Sequence, residues 1–359
     1  MHCGGMRRFA AGLTVFAGVA ACSGPSPTPN PSFDFSGIDA FWSVVDTLEQ
    51  DRRPALEQWN RLFATPGYAA LVASEFERAY FERLFTIAYM PSMRESLSTE
   101  LEGPSGRNLR HYLRALELRD SLAAQEERLR TEPLCEPALE RTAAFLPQPP
   151  VDGCPPASFV IFANDGRGYD PIVIDLLASM TWDIEPFLAH EFHHWLRNRQ
   201  LAFDQAAVGP DDYAALWTLS QIQAEGIADQ IDKAGWIADP SRTPAGREGY
   251  AARYRENLAA TPVLLRSMDS LLCRHGTEPE GRAAGEQLQE IVPQSGHPTG
   301  FYMARAIDRG LGRAALTSDF ANPFLFFARY QEAGGGTRTA FSECAQAALS
   351  ELRRRYERP

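Results

Sequence analysis

A chain of 359 residues with 44% hydrophobic and 23% charged side chains has the composition of a globular protein with a real core, in one large domain or two ordinary ones, and not that of a disordered or fibrous chain. Its formal net charge is −11 with no long basic run, which argues against nucleic acid as a partner because phosphate binding needs clustered Lys and Arg. The short stretch RRRYER (Arg353 to Arg358) reads as a solvated helix end.

In chain order, Arg7 and Arg8 precede an apolar stretch from Phe9 to Ala21, which Cys22 follows. The stretch is too short for a permanent membrane helix and has the plan of a secretory signal. Its end, Val19-Ala20-Ala21-Cys22, resembles the lipobox of bacterial lipoproteins. That resemblance implies a signal peptide over 1–21, an exported protein lipid-anchored to the membrane through Cys22, and, with Ser23 next, the outer membrane on its periplasmic or surface side. Residues 22–33 are rich in Pro and Ser and read as an extended tether.

From Phe35 to about Leu129 apolar residues recur at helical spacing (Phe41, Val44, Val45 and Leu48; Phe76, Tyr80, Leu84 and Ile87), which predicts an N-terminal helical region, 34–130, of four or so helices. A Pro- and Cys-containing connection, 131–157, follows. Four cysteines lie beyond the signal, and Cys135 with Cys154 is the preferred local pair, leaving Cys273 with Cys344. SFVIFAN (158–164) and PIVIDLL (171–177) carry the main β signal. The Asp165-Gly166 turn pair between them predicts a hairpin or short sheet. Helices are expected at about 183–198, 213–234, 246–273, 299–311 and 339–356. The fold class is therefore mainly α with a small β-sheet, and 158–359 forms the catalytic region.

The chemistry lies in FLAHEFHHWLRN (Phe187 to Asn198). On a helix capped by Asp183, with Pro186 in its first turn, His190 and His194 share one edge and Glu191 projects from the same side. His193 points away and reads as a surface or supporting residue. Two imidazoles one turn apart can reach a tetrahedral Zn²⁺ at about 2.0–2.1 Å, leaving the carboxylate free to take a proton from attacking water. A catalytic zinc needs a third protein ligand and an open fourth position, and Glu225 on the later helix supplies the carboxylate. Asp229, one turn on, can accept from the ring N–H of a zinc-bound histidine, and Gly226 would let the two helices approach closely. Downstream, Gly296, Pro298 and Gly300 form a turn. There His297 or Tyr302 could donate to the oxyanion of a tetrahedral intermediate.

His190-Glu191-x-x-His194 followed by Glu225-x-x-x-Asp229 resembles the gluzincin group of zinc metallopeptidases. LAHEFHHWL, AEGIAD and GHPTGFYMARAI together resemble a bacterial family described as zinc-dependent peptidases, over about Phe159 to Leu311. The resemblance implies a zincin-like fold, one zinc ion per chain on His190, His194 and Glu225, Glu191 as general base, and a peptide or protein substrate. In zincins an edge strand ahead of the active helix holds the substrate backbone, a place that PIVIDLL would fill. Two alternatives stay open from the residues: a zinc hydrolase on a non-peptide amide or ester, and a non-catalytic lipoprotein whose zinc staples two helices.

Overall fold

The computed structural model describes residues 32–148, 153–276, 281–334 and 340–358. The expected signal peptide, Cys22 and the expected tether up to residue 31 lie outside them. No helix among the described residues is long and apolar enough to cross a membrane.

The protein is mainly helical with one small mixed sheet. The N-terminal part is built from α1 (Ser36–Glu49), α2 (Leu56–Ala64), α3 (Pro66–Ser74), α4 (Arg78–Tyr89), α5 (Arg94–Glu100), α6 (Gly106–Glu117) and α7 (Arg119–Thr131), more and shorter helices than the apolar periodicity suggested. The 131–157 connection is not all loop. It holds α8 (Cys135–Ala143), and the expected Cys135–Cys154 disulfide ties the start of that helix to the approach to the sheet.

The sheet has the order β1-β2-β4-β3, from β1 (Phe33–Asp34), β2 (Ala157–Val160), β3 (Gly166–Arg167) and β4 (Ile172–Asp175). Of the expected hairpin or short sheet, the structure has the sheet and not the hairpin. β2 and β4 run parallel, Ala157 opposite Ile172 and Val160 opposite Asp175, and the Asp165-Gly166 turn leads only into β3, which is antiparallel to β4. All eight residues of β2 and β4 are buried, so their continuous apolar runs are those of strands covered on both faces and not the alternation of a hairpin. PIVIDLL therefore lies inside the sheet and cannot be the edge that takes a peptide. Where β2 ends, the Tyr68 and Tyr112 hydroxyls donate to the carbonyls of Ile161 and Phe162 at 2.8 and 2.9 Å, satisfying backbone that the ladder no longer pairs.

Then come α9 (Ile184–Arg199), α10 (Pro210–Asp232), α11 (Ala234–Ala238), α12 (Glu248–His275), α13 (Gly281–Ile291), α14 (His297–Leu311), α15 (Arg313–Ser318), α16 (Pro323–Ala333) and α17 (Glu343–Tyr356). Buried apolar side chains from Phe33 to Leu352 form one continuous cluster through both parts of the chain. Cys273 on α12 and Cys344 on α17 are neighbours but free thiols, so the second expected staple is absent. A hydrogen-bonded network does tie α17 to the start of α10: Asp212 accepts from Arg355 and from the Tyr356 hydroxyl, both at 2.6 Å.

Candidate metal centre

Asp183 stands at the N-cap of α9 and Pro186 in its first turn, although the Asp183 side chain makes no capping bond. The helix is buried on nearly all sides. The Thr142 hydroxyl of α8 donates to the Ala189 carbonyl at 3.0 Å, and α10 crosses the other flank. Arg197 fixes that crossing, with Nε donating to Gln223 Oε1 at 2.8 Å and NH2 to Ser220 Oγ at 2.6 Å, both on α10. Burial pushes this guanidinium down to about 10, with the Glu225 charge acting against the shift.

Three candidate ligand atoms converge on one point. His190 Nε2 and His194 Nε2 face each other at 2.9 Å, and Glu225 Oε2 lies 3.4 Å from the first and 3.2 Å from the second. Donors on a tetrahedral zinc with bonds of about 2.0–2.1 Å stand about 3.3 Å apart, so the triangle has the size of one face of such a shell. Two imidazole nitrogens and a carboxylate oxygen brought this close call for a cation or proton between them, and this donor set fits Zn²⁺. The three residues form a group able to hold a metal ion.

Behind them lies a second layer that differs from the sequence expectation. His190 Nδ1 is 3.1 Å from Asp232 Oδ1 and 3.6 Å from Asp229, so Asp232 and not Asp229 is its nearest carboxylate. Asp229 instead accepts from His297 Nδ1 at 3.0 Å, from the Tyr254 hydroxyl at 2.6 Å and from Lys233 Nζ at 2.8 Å. Burial works against the Asp229 charge, but His297 and Lys233 outweigh it and hold the carboxyl well below its ordinary range. Lys233 is buried between Asp229 and Asp232, which keep it charged against the cost of desolvation.

Asp232 completes the i, i+4, i+7 series with Glu225 and Asp229, one helical face whose third member is visible in the sequence spacing. Lys233 adjoins it. Tyr254 carried no sequence signal, because α12 brings it in from a distant part of the chain.

Glu191 is buried, and its Oε2 has no hydrogen-bond partner. Burial pushes its carboxyl above the ordinary range, with His190 and His194 acting against the rise. β3 packs directly on this helix: a Cβ at Gly166 would collide with Glu191 Oε1, and one at Gly168 with the Cβ of His194. Glycine at both positions lets the strand edge lie against the residues of the site. Gly226 also serves a close approach, but to a different partner. It meets Gly300 of α14 and not α9, and a Cβ on Gly300 would run into the carbonyl oxygen of Ile222.

His297 belongs to this cluster, with Nδ1 3.1 Å from Glu225 Oε2. The expected turn at 296–300 is in fact the helix start: Gly296 at φ +94° is the N-cap and His297 the first residue of α14. Tyr302 is half-buried against the core, with no hydrogen bond to the histidines among the described residues. His193 is not at the surface. It is fully buried beside Phe320, with neither ring nitrogen partnered, and burial pulls it well below the ordinary histidine range.

The protein is mainly helical and gathers two imidazoles from one helix and a carboxylate from the next into a candidate His₂–carboxylate metal site. The chain belongs to the family described as "Putative zinc dependent peptidase (DUF5700)", which matches residues 59–334. That span takes in most of the N-terminal helices as well as the site, and so reaches beyond the 159–311 stretch of the sequence resemblance. No curated protein and no solved structure matches the chain.

Proposed function

We propose that the protein is a zinc metallopeptidase that hydrolyses peptide bonds with one zinc ion per chain, held by His190, His194 and Glu225. The observation that carries this reading is the 2.9–3.4 Å triangle of their ligand atoms with the unpartnered Glu191 carboxylate beside it. Zinc bound there would acidify water and polarise a carbonyl.

The chain's own residues supply the rest. Glu191, with one carboxylate oxygen free, takes the proton from attacking water and passes it to the leaving amine. Asp232 orients His190 through Nδ1, which fixes the tautomer that presents Nε2. Asp229 holds His297 by Nδ1, leaving Nε2 uncommitted to donate to the developing oxyanion. Tyr302 has no support for that role. The peptide backbone would lie along β3, the sheet edge that packs on Glu191, in place of PIVIDLL. The packing of α9 against a short strand edge and a second ligand-bearing helix is what a zincin-like arrangement requires. For location, the reading is an exported protein anchored at Cys22 to the outer membrane by the lipobox resemblance.

The direct test is Glu191→Gln. Zinc content should stay at the wild-type level while the cleavage rate of a peptide substrate falls about 10²–10⁴-fold. A variant that cleaves as fast as wild type would remove the proposed mechanism.

A further inference from the structure

A positive charge without an ion-pair partner among the described residues stands close to the chain segment that packs on Glu191. Arg247, just ahead of α12, donates from NH2 to Thr181 Oγ1 at 2.7 Å and to Asn164 Oδ1 at 3.4 Å. Its guanidinium lies over the Trp182 ring, 4.0 Å from the centroid. Its Nε is buried without a partner, and Nη1 makes no hydrogen bond among the described residues. No carboxylate among the described residues lies within ion-pair distance of it. Asp165 acts on Arg247 through space, but its carboxylate is bonded to Arg167 at 2.8 Å.

The position ties this charge to the site. Asn164 is two residues from Gly166, at most about 7 Å along the chain, and Gly166 packs on the Glu191 carboxylate. Trp182 stacks on Phe187 of α9 at 5.6 Å, one turn ahead of His190 and Glu191. Lys233 Nζ, 3.5 Å from His190 Nδ1, lies 5.8 Å from the same indole ring. The charges nearest the metal ligands are each committed: Lys233 to Asp229 and Asp232, His297 to Asp229, Arg197 to neutral acceptors on α10. Arg247 keeps unused donors. A partly buried guanidinium with free N–H groups on a rigid aromatic seat is suited to a planar anion, because its fork matches the two oxygens of a carboxylate.

We infer that Arg247, seated on Trp182, receives a carboxylate of the substrate, either the α-carboxylate at a peptide's end or the side chain of an Asp or Glu near the scissile bond. The inference rests on the peptidase reading for what the carboxylate is attached to. It makes the preferred substrates peptides that present a carboxylate there, in spite of the protein's own net negative charge.

Binding is measured by calorimetry on the full chain as purified, with Glu191→Gln in place to stop turnover. The probes are an acetylated alanine pentapeptide with a free C-terminus, its C-terminal amide, and that amide with one central Glu. At least one acidic peptide should bind about tenfold to a hundredfold more tightly than the uncharged amide, the range of a charge-assisted hydrogen bond. Preference for the free acid assigns the chain end, and preference for the Glu peptide assigns the side chain. Arg247→Gln should erase the preference without changing affinity for the uncharged amide, and Trp182→Leu, which keeps the charge but removes its seat, should weaken it. Equal binding of all three peptides, or a preference that survives both substitutions, overturns the inference. Equal cleavage of all three by wild type would leave the peptidase reading intact and sink this one. Carboxylate-selective binding with no cleavage would do the reverse.

Discussion

The His111–Asp175 pair and the candidate metal centre both bury a histidine against a carboxylate, and they are built to opposite rules. At Asp175 every oxygen is used: Oδ2 accepts from His111 Nε2 at 2.8 Å and from the Phe162 N–H at 2.7 Å, and Oδ1 accepts from the Ala178 N–H at 3.0 Å. This pair closes the end of β4 against α6 and has no capacity left for a ligand. At the candidate metal centre the opposite holds. Two imidazole nitrogens and a Glu225 oxygen crowd one point, and Glu191 has an oxygen with no partner at all. Buried polar groups are normally satisfied, so a saturated cluster reads as structure and an unsaturated one as a place for something that comes and goes.

The sharpest way to break this contrast is to unsaturate the saturated pair. Asp175→Asn leaves the buried His111 without its carboxylate and should cost about 3–5 kcal/mol in denaturant unfolding, with loss of activity only in proportion to the unfolded fraction. If stability barely moves, the Asp175–His111 pair is not a structural one.

The next effect belongs to the other cluster. His297→Gln should keep the zinc and lower kcat about 10²–10³-fold, with little change in melting temperature. A large stability loss with unchanged kcat would place His297 with the structural pairs. A smaller change lies between the two regions. Gly300→Ala sets a methyl group against the Ile222 carbonyl, forces α14 away from α10, and should cost about 1–3 kcal/mol. Because α14 carries His297, activity should fall further than stability alone explains.

The smallest expected effect is a pH dependence. His111 and the two backbone donors outweigh burial and hold the Asp175 carboxyl below its ordinary value of about 4. A depressed carboxylate contributes stability that is present above the unfolded value and lost as pH falls through the folded one. Stability should therefore drop below about pH 4, and Asp175→Asn should flatten that drop.

How much of this could be read in advance follows from what is local. His190, Glu191 and His194, and separately Glu225 and Asp229, are fixed by helical spacing, and the sequence displayed both sets. Cys135 with Cys154 was legible for the same reason, a short loop closing on itself. The partners across helices were not. Asp229 turns to His297 and Tyr254 instead of His190 because α12 and α14 arrive there, and no short-range pattern encodes that crossing. The strand pairing failed for a related reason. Asp165-Gly166 is a good local turn, but burial on both faces by helices from distant parts of the chain decided that β2 and β4 run parallel.

The central claim is that His190, His194 and Glu225 hold one metal ion. Its most direct measurement is the zinc content of purified wild-type protein beside that of the His190→Ala/His194→Ala double variant. One equivalent is expected in the first and none in the second. Full zinc retained by the double variant, or none bound by wild type under saturating metal, would contradict it.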